Sequence, residues 1–241
     1  MFFPVVLSAL LVSAAIAPTT DAGKLAYQTR CASCHGDDLR GGANGPSLRG
    51  AGAADLDFWM VTGRMPAALP WLEVGHRGPQ IGAHEIALIE AYVTSVAPGG
   101  PPIPQVATGG NLAHGRELFA QNCEHCHGVG GAGASLGENA WAPALQAASI
   151  TQVAEAIRVG PGNMPKFAPS QLDDSALRDI VTYVSWLDAD AATAAFPLRS
   201  SGPVPEGLYG WLSIGALCLC AYAYSKRRKP GAPARASEET E

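Results

Sequence analysis

A chain of 241 residues has room for two small domains and membrane segments, and its formal net charge of −5 leaves no electrostatic footing on nucleic acid. Charged residues are only 15% of the chain, and the apolar residues crowd its two ends. The six cysteines are not a disulfide framework: four sit in two C-x-x-C-H motifs and two in the C-terminal apolar run.

Residues 1–22 open with an apolar stretch from Met1 to Ala17 that ends in small residues but has no basic start. Pro18 follows the Ala15-Ile16-Ala17 pattern, and Ala22 is a second candidate end, so the segment is expected to be a signal peptide or an N-terminal anchor. From there the chain repeats itself. Arg30-Cys-Ala-Ser-Cys-His-Gly36 matches Asn122-Cys-Glu-His-Cys-His-Gly128 at an offset of 92. Gly45-Pro-Ser-Leu48 pairs with Ala142-Pro-Ala-Leu145, Gly63-Arg-Met-Pro66 with Gly162-Asn-Met-Pro165, and Ala91-Tyr-Val93 with Thr182-Tyr-Val184. Landmarks in the same order imply a duplicated domain, over 23–97 and 111–190, joined by a Pro/Gly-rich linker at 98–110.

Each copy reads as helical. Ile89, Tyr92, Val93 and Val96 share one helix face, as do Leu177, Ile180, Val181, Val184 and Leu187. Asp57 to Val61 is a helical run that places Met60 in the core. Ser149-Ile-Thr-Gln152 is a capping box opening a helix toward Val159, and Ser170 or Asp173 is the candidate cap of the last helix in that copy. Gly-rich loops run from Gly36 to Gly52 and from Gly128 to Ala140, and strand patterns are essentially absent. Tyr92 and Tyr183 are expected to pack each last helix onto its first. A second linker covers 191–206 and leads to an uncharged run from Gly207 to Tyr224, with Tyr209, Trp211, Tyr222 and Tyr224 near its ends. As a helix this run spans about 27 Å, enough for the hydrocarbon core of a bilayer. The span 207–225 is therefore expected to cross the membrane. Lys226-Arg227-Arg228-Lys229 then holds the tail, 226–241, in the cytoplasm, which leaves the two repeats extracytoplasmic. The fold class expected is all-α: two tandem domains and a C-terminal transmembrane helix.

C-x-x-C-H is the signature of covalent c-type haem attachment. The two cysteines form thioethers with the porphyrin and the adjacent histidine meets the iron. Cys31, Cys34 and His35 are thereby assigned to one haem, and Cys123, Cys126 and His127 to another. A dithiol redox centre would need a βαβ setting, which is missing, and a shared zinc site would have to span two separate repeats. The second iron ligand is expected from Met65 and Met164, each in a Gly-x-Met-Pro context repeated between the copies; His/Met ligation suits electron transfer. His125 should face away from the iron, and His84 and His114 have surface or structural roles. His76 remains an alternative ligand in the loop after Met65. Pro46 and Pro143 are placed to accept the Nδ1–H of the two motif histidines. Cys218 and Cys220 are apolar packing residues of the membrane helix. A domain of about 75–80 residues buries a marginal core, so a covalently held haem would serve as its staple.

Tandem C-x-x-C-H…Met-Pro domains resemble class I cytochrome c. With the C-terminal anchor and its basic stop, the chain resembles the dihaem cytochrome c subunit of an actinobacterial-type cytochrome bc complex, a menaquinol–cytochrome c reductase. The resemblance covers nearly the whole length and implies two covalently bound haem c groups. It also implies a cytochrome b subunit, a Rieske iron–sulfur subunit as electron donor and a haem-copper oxidase as acceptor. The chain itself would be a redox subunit without substrate chemistry of its own. Alternatives are a dihaem subunit of another membrane dehydrogenase or oxidase, or a dihaem enzyme such as a peroxidase or thiosulfate dehydrogenase, which two intact Gly-x-Met-Pro motifs disfavour.

Overall fold

A computed structural model describes residues 20–67, 77–137, 140–146, 148–193 and 203–227. By compactness the chain divides into one unit of Met1–Val106 with Ser149–Asp174, and a second of Ala107–Ala148 with Ser175–Glu241. Most of residues 1–22, His76 and most of the 191–206 and 226–241 segments lie outside the described residues.

In the first unit, α1 (Thr20–Arg30) runs straight into the four-residue α2 (Ala32–His35), and α3 (Ala53–Val61) and α4 (Ala83–Val96) follow. Close approach of α1 and α4 is set by Gly23. A Cβ there would run into the Leu88 carbonyl and come within 2.8 Å of the Tyr92 Cβ. The ring of Tyr92 then lies 5.5 Å from that of Tyr27, so the expected packing of the last helix on the first is realised. Tyr27, Leu39, Ile89 and Val93 are shut off from solvent, and Leu56, Met60, Ile81 and Ile86 extend the same core. Burying each such large side chain contributes about 1.5–3 kcal/mol. The start of the Pro/Gly linker is docked rather than free: Pro101 accepts a hydrogen bond from the Ala54 amide at 3.1 Å.

The same unit contains α7 (Ile150–Val159), which packs on α3. Its predicted capping box is present. The Gln152 amide donates to Ser149 Oγ at 3.1 Å, and the Ser149 amide donates to Gln152 Oε1 at 3.0 Å. Such a cap is worth about 1 kcal/mol. Gly160 closes the helix in the left-handed conformation. Val153, Ala154 and Ile157 are buried. Arg158 is also buried, and it donates to the carbonyls of Phe167 and Leu172 and to Asp174 at 3.2, 2.6 and 3.0 Å.

In the second unit, α5 (Leu112–Asn122) precedes the short α6 (Glu124–His127), and α8 (Asp174–Thr193) supplies the last helix from Ser175 onward. Gly115 repeats the role of Gly23, beneath the Asp179 carbonyl and the Tyr183 Cβ. Phe119 and Tyr183 pack with ring centres 5.3 Å apart. Phe119, Leu177, Ile180, Val181, Val184 and Leu187 are buried.

The all-α expectation needs one correction. Between α6 and α7 an antiparallel pair forms, β1 (Ala134–Gly137) with β2 (Ala140–Ala142), in the register Ala134↔Ala142 and Ser135↔Trp141. The fold is thus mostly helical with a small sheet. The motif histidines of the two copies are offset by 92 and their following prolines, Pro46 and Pro143, by 97, so five extra residues occupy this place in the second copy. In the first copy the same stretch is a single bridge between Gly42 and Gly45. Leu136 and Trp141 stay exposed, at 42% and 65%. Backbone pairing rather than burial holds the strands, which is why no alternating pattern announced them.

The helix α9 (Pro203–Arg227) begins four residues before the predicted membrane span, with Pro203 and Pro205 in its first turn, where a missing amide costs nothing. Among the described residues, Gly207–Lys226 is long and apolar enough to cross a membrane, with mean hydropathy 1.3 and no residue of it buried by the rest of the chain.

Candidate functional site

The first C-x-x-C-H segment is one tight turn. The amides of Cys34 and His35 both donate to the Cys31 carbonyl, at 3.1 and 2.9 Å, which brings the two thiols and the imidazole to one side of the chain. His35 is buried, and its Nδ1 lies 2.8 Å from the Pro46 carbonyl. A carbonyl can only accept, so Nδ1 carries the proton and Nε2 is left with a free lone pair. Gly41, at φ +80°, makes this approach feasible: a Cβ there would meet the Pro46 carbon and the Ser47 nitrogen at 2.6 Å.

Cys31, Cys34, His35, Pro46, Met60 and Met65 line a cleft of about 470 Å³, a size typical of small-molecule and cofactor sites. Two methionines therefore reach it. Met60 is buried on α3, as expected of a core residue, at 5% exposure. Met65 sits on the loop after α3, with its amide donating to the Trp59 carbonyl at 2.9 Å. The side-chain amide of Gln80 donates to the carbonyls of Gly63 and Pro66, at 2.7 and 3.0 Å, and so brackets Met65 on both sides. Gln80 lies outside the landmark motifs, but Gln171 stands at the matching place of the second copy, 91 residues on as Tyr183 is from Tyr92, and that repeat is the signal that could have found it.

The second C-x-x-C-H segment has the same construction. Cys126 and His127 donate to the Cys123 carbonyl at 3.1 and 2.9 Å, and His127 Nδ1 donates to the Pro143 carbonyl at 2.9 Å. Gly133, at φ +77°, has the matching place: a Cβ there would meet the Pro143 carbon at 2.8 Å. Both proline carbonyls thus hold the expected bonds. Met164 lies in the loop after α7, half-buried, with its amide on the Pro161 carbonyl at 3.0 Å. Its segment, Ser149–Asp174, is compact with the first unit, whereas Cys123, Cys126 and His127 belong to the second. His125 is exposed, as its position between the cysteines suggested, and His84 is exposed on α4. His114 is tied to Asp179 at 2.8 Å, a structural role.

Residues 20–97 match the family model described as cytochrome c, and residues 110–184 match the one described as cytochrome C oxidase, cbb3-type, subunit III. The chain is 38% identical over 211 residues to the "cytochrome bc1 complex cytochrome c subunit" of Mycobacterium tuberculosis, covering 83% of this chain and 75% of that protein. The proteins of the same name from Mycobacterium leprae and Corynebacterium diphtheriae are 37% and 32% identical, over 79% and 83% of this chain and 69% and 78% of theirs. This chain belongs to that family of cytochrome c subunits.

Cytochrome c domains bind haem c covalently, and the residues of this family member fit that group. All six cysteines are free. Burial pushes the thiols of Cys31 and Cys123 up to about 11, opposite to the lowered value a reactive redox dithiol needs. Burial also holds His127 below the ordinary imidazole range, against the hydrogen bond to Pro143, so the ring is neutral as an iron ligand must be. A Cβ on Gly45 would sit 3.0 Å from the Cys34 carbonyl oxygen and 3.1 Å from His35 Nδ1, so the wall behind the histidine accepts only glycine without adjustment. In this cytochrome c subunit the thiols, a proton-fixed imidazole and a thioether converge on one cleft.

Proposed function

We propose that this chain is the membrane-anchored dihaem carrier of a quinol–cytochrome c reductase. Cys31 and Cys34 would hold one haem c, with His35 and Met65 as the residues that meet its iron. Cys123 and Cys126 would hold the other, with His127 and Met164. The observation that carries the chemistry is the single cleft that gathers Cys31, Cys34, His35 and Met65. Bound haem c supplies a one-electron iron couple. The protein residues do the rest. The proline carbonyls hold each imidazole in one tautomer and raise its basicity. The methionine thioether favours the reduced iron and raises the potential. A site closed on both faces excludes peroxide and oxygen chemistry, so the chain acts as a carrier within a redox enzyme rather than as an enzyme alone.

The relatives are named as subunits of the cytochrome bc1 complex, which supports a cytochrome b subunit and a Rieske iron–sulfur subunit as neighbours here, with a quinol as the source of electrons. Onward transfer goes to a haem-copper oxidase. The span Gly207–Lys226 anchors the chain in the cell membrane, and the basic residues after Ser225 keep the tail cytoplasmic and the haem domains outside. In the test, the tagged chain is purified from membranes. A pyridine haemochrome assay is expected to give two haems per chain, cytochrome b and a Rieske protein to copurify, and added quinol to reduce the c-type haem. One haem per chain, haem extractable by acid acetone, or no reduction by quinol would overturn the proposal.

A further inference from the structure

Three carboxyl groups from three helices of the first unit meet, and among the described residues no cation acts on them. Asp57 comes from α3, Glu90 from α4 and Glu155 from α7. Glu155 is completely shut off from solvent, and neither of its oxygens has a hydrogen-bond donor; Oε1 of Glu90 is buried in the same condition. Carboxylates are acceptors only, so Asp57 can hydrogen-bond Glu90 and Glu155 only if protons lie between them. The other charged groups of these helices are engaged elsewhere. Asp55 caps the start of α3, Glu85 pairs with Arg30, and Arg158 is bound to Asp174 and two carbonyls. His84 is exposed near the start of α4, and Arg64, just beyond α3, lies over the Phe58 ring. The charges acting on Glu155 are those of Asp57 and Glu90. A buried ionised carboxylate without a donor is not a stable state of a protein interior.

We propose that Asp57, Glu90 and Glu155 form a proton-binding site that clasps α7 onto α3 and α4, occupied while α7 is seated and emptied when it leaves. The buried oxygens of Glu155 and Glu90 lack donors, and protons shared between the carboxyl groups supply them. Their chemistry converts mutual repulsion into a short chain of O–H···O bonds. Burial first, then the neighbouring carboxylates, push Glu90 up to about 8 and Glu155 up to about 9. The sign follows from linkage. Between the ordinary value of 4.5 and these raised values the seated state holds more protons than the open one, so the clasp weakens as pH rises through that range. None of the three carboxyl groups is among the haem ligands assigned above.

The experiment is hydrogen exchange on the full haem-loaded chain in detergent, comparing protection factors of residues 150–159 with those of α1 at pH 6 and pH 9.5. Wild type is expected to lose protection in α7 by at least about tenfold at the higher pH, since release of one linked proton changes the equilibrium about tenfold for each tenfold fall in proton activity. Glu155→Gln, a neutral isostere of the protonated acid, is expected to keep α7 protected at both pH values, and Glu90→Gln to reduce the loss. An infrared carbonyl band of protonated carboxyl at pH 7, diminished in either variant, gives a second readout. The proposal is overturned if α7 protection in wild type does not depend on pH, if both Gln variants lose it at pH 6, or if wild type shows no protonated carboxyl at pH 7.

Discussion

The two C-x-x-C-H turns are nearly the same in their local bonding and differ in what surrounds them. Each has a histidine on a proline carbonyl, at 2.8 and 2.9 Å, and a glycine under the last helix. The surroundings then diverge. Tyr27 donates its hydroxyl to the Gly36 carbonyl at 2.6 Å, while its counterpart Phe119 has no hydroxyl to give. At the helix crossing, Leu88 of the first unit is replaced by Asp179 in the second, which binds His114 and the Asn111 amide. A duplicated motif thus keeps its local bonding and lets the scaffold be braced by different means: a buried tyrosine in one unit, a carboxylate–imidazole hydrogen bond in the other.

The largest expected effect tests whether each cofactor is the staple of its own unit. Cys31→Ala with Cys34→Ala should lower covalent haem from two to one per chain and leave the first unit unfolded and open to proteolysis, with the second haem retained. Unchanged protease resistance without the first haem would show that the core of Tyr27, Leu39, Ile89 and Val93 suffices alone.

Next comes the axial methionine. Met65→His and Met164→His should each keep haem attached yet lower that haem's potential by more than about 100 mV, given that axial ligands command a range of about 0.8 V. The near-infrared band of iron–methionine ligation should shrink in each. Met60→Leu, in the same cleft as Met65, should leave the band intact and cost about 1 kcal/mol of stability. A band that vanishes with Met60 instead would exchange the two roles.

A smaller change makes the first unit like the second. Tyr27→Phe should cost about 1 kcal/mol by removing one buried hydrogen bond, read as a lower denaturation midpoint with little change in either potential. Phe119→Tyr should return nothing comparable unless the Gly128 carbonyl is within its reach.

The smallest effect is the pH dependence of the Asp179 carboxylate and its hydrogen bonds. Burial alone would raise the Asp179 carboxyl, but hydrogen bonds from His114 and the Asn111 amide outweigh it and hold it below the ordinary value of 3.8. Its stabilisation is therefore present above pH 3.8 and is lost as pH falls through the lower folded value. Asp179→Asn should destabilise the second unit at pH 7 and converge on wild type in acid, followed by denaturant titration at both pH values. Parallel curves would mean that the pair contributes nothing beyond its packing.

Much of this molecule was legible in the chain itself because its chemistry is local. Cysteine, cysteine and histidine within five consecutive residues are a motif readable without tertiary structure, and the proline carbonyls were found through their repeated position. The helix faces of α4 and α8 followed from periodicity, the capping box of α7 from a four-residue pattern, and the apolar C-terminal helix from composition. The hairpin was missed because its residues do not alternate and its strands bury little.

By itself the sequence determined the two C-x-x-C-H motifs, the duplicated helical design and the apolar C-terminal helix, since each depends on neighbours along the chain. Tertiary structure alone decided which methionines share a cleft with His35, that Gln80 brackets Met65 from 17 residues beyond Gly63, and that Asp57, Glu90 and Glu155 meet on three helices. The physical reason is the same in each case. Hydrogen bonds and charge–charge interactions act over a few ångströms of space, and only the packing of α1, α3, α4 and α7 determines which distant residues come within that reach.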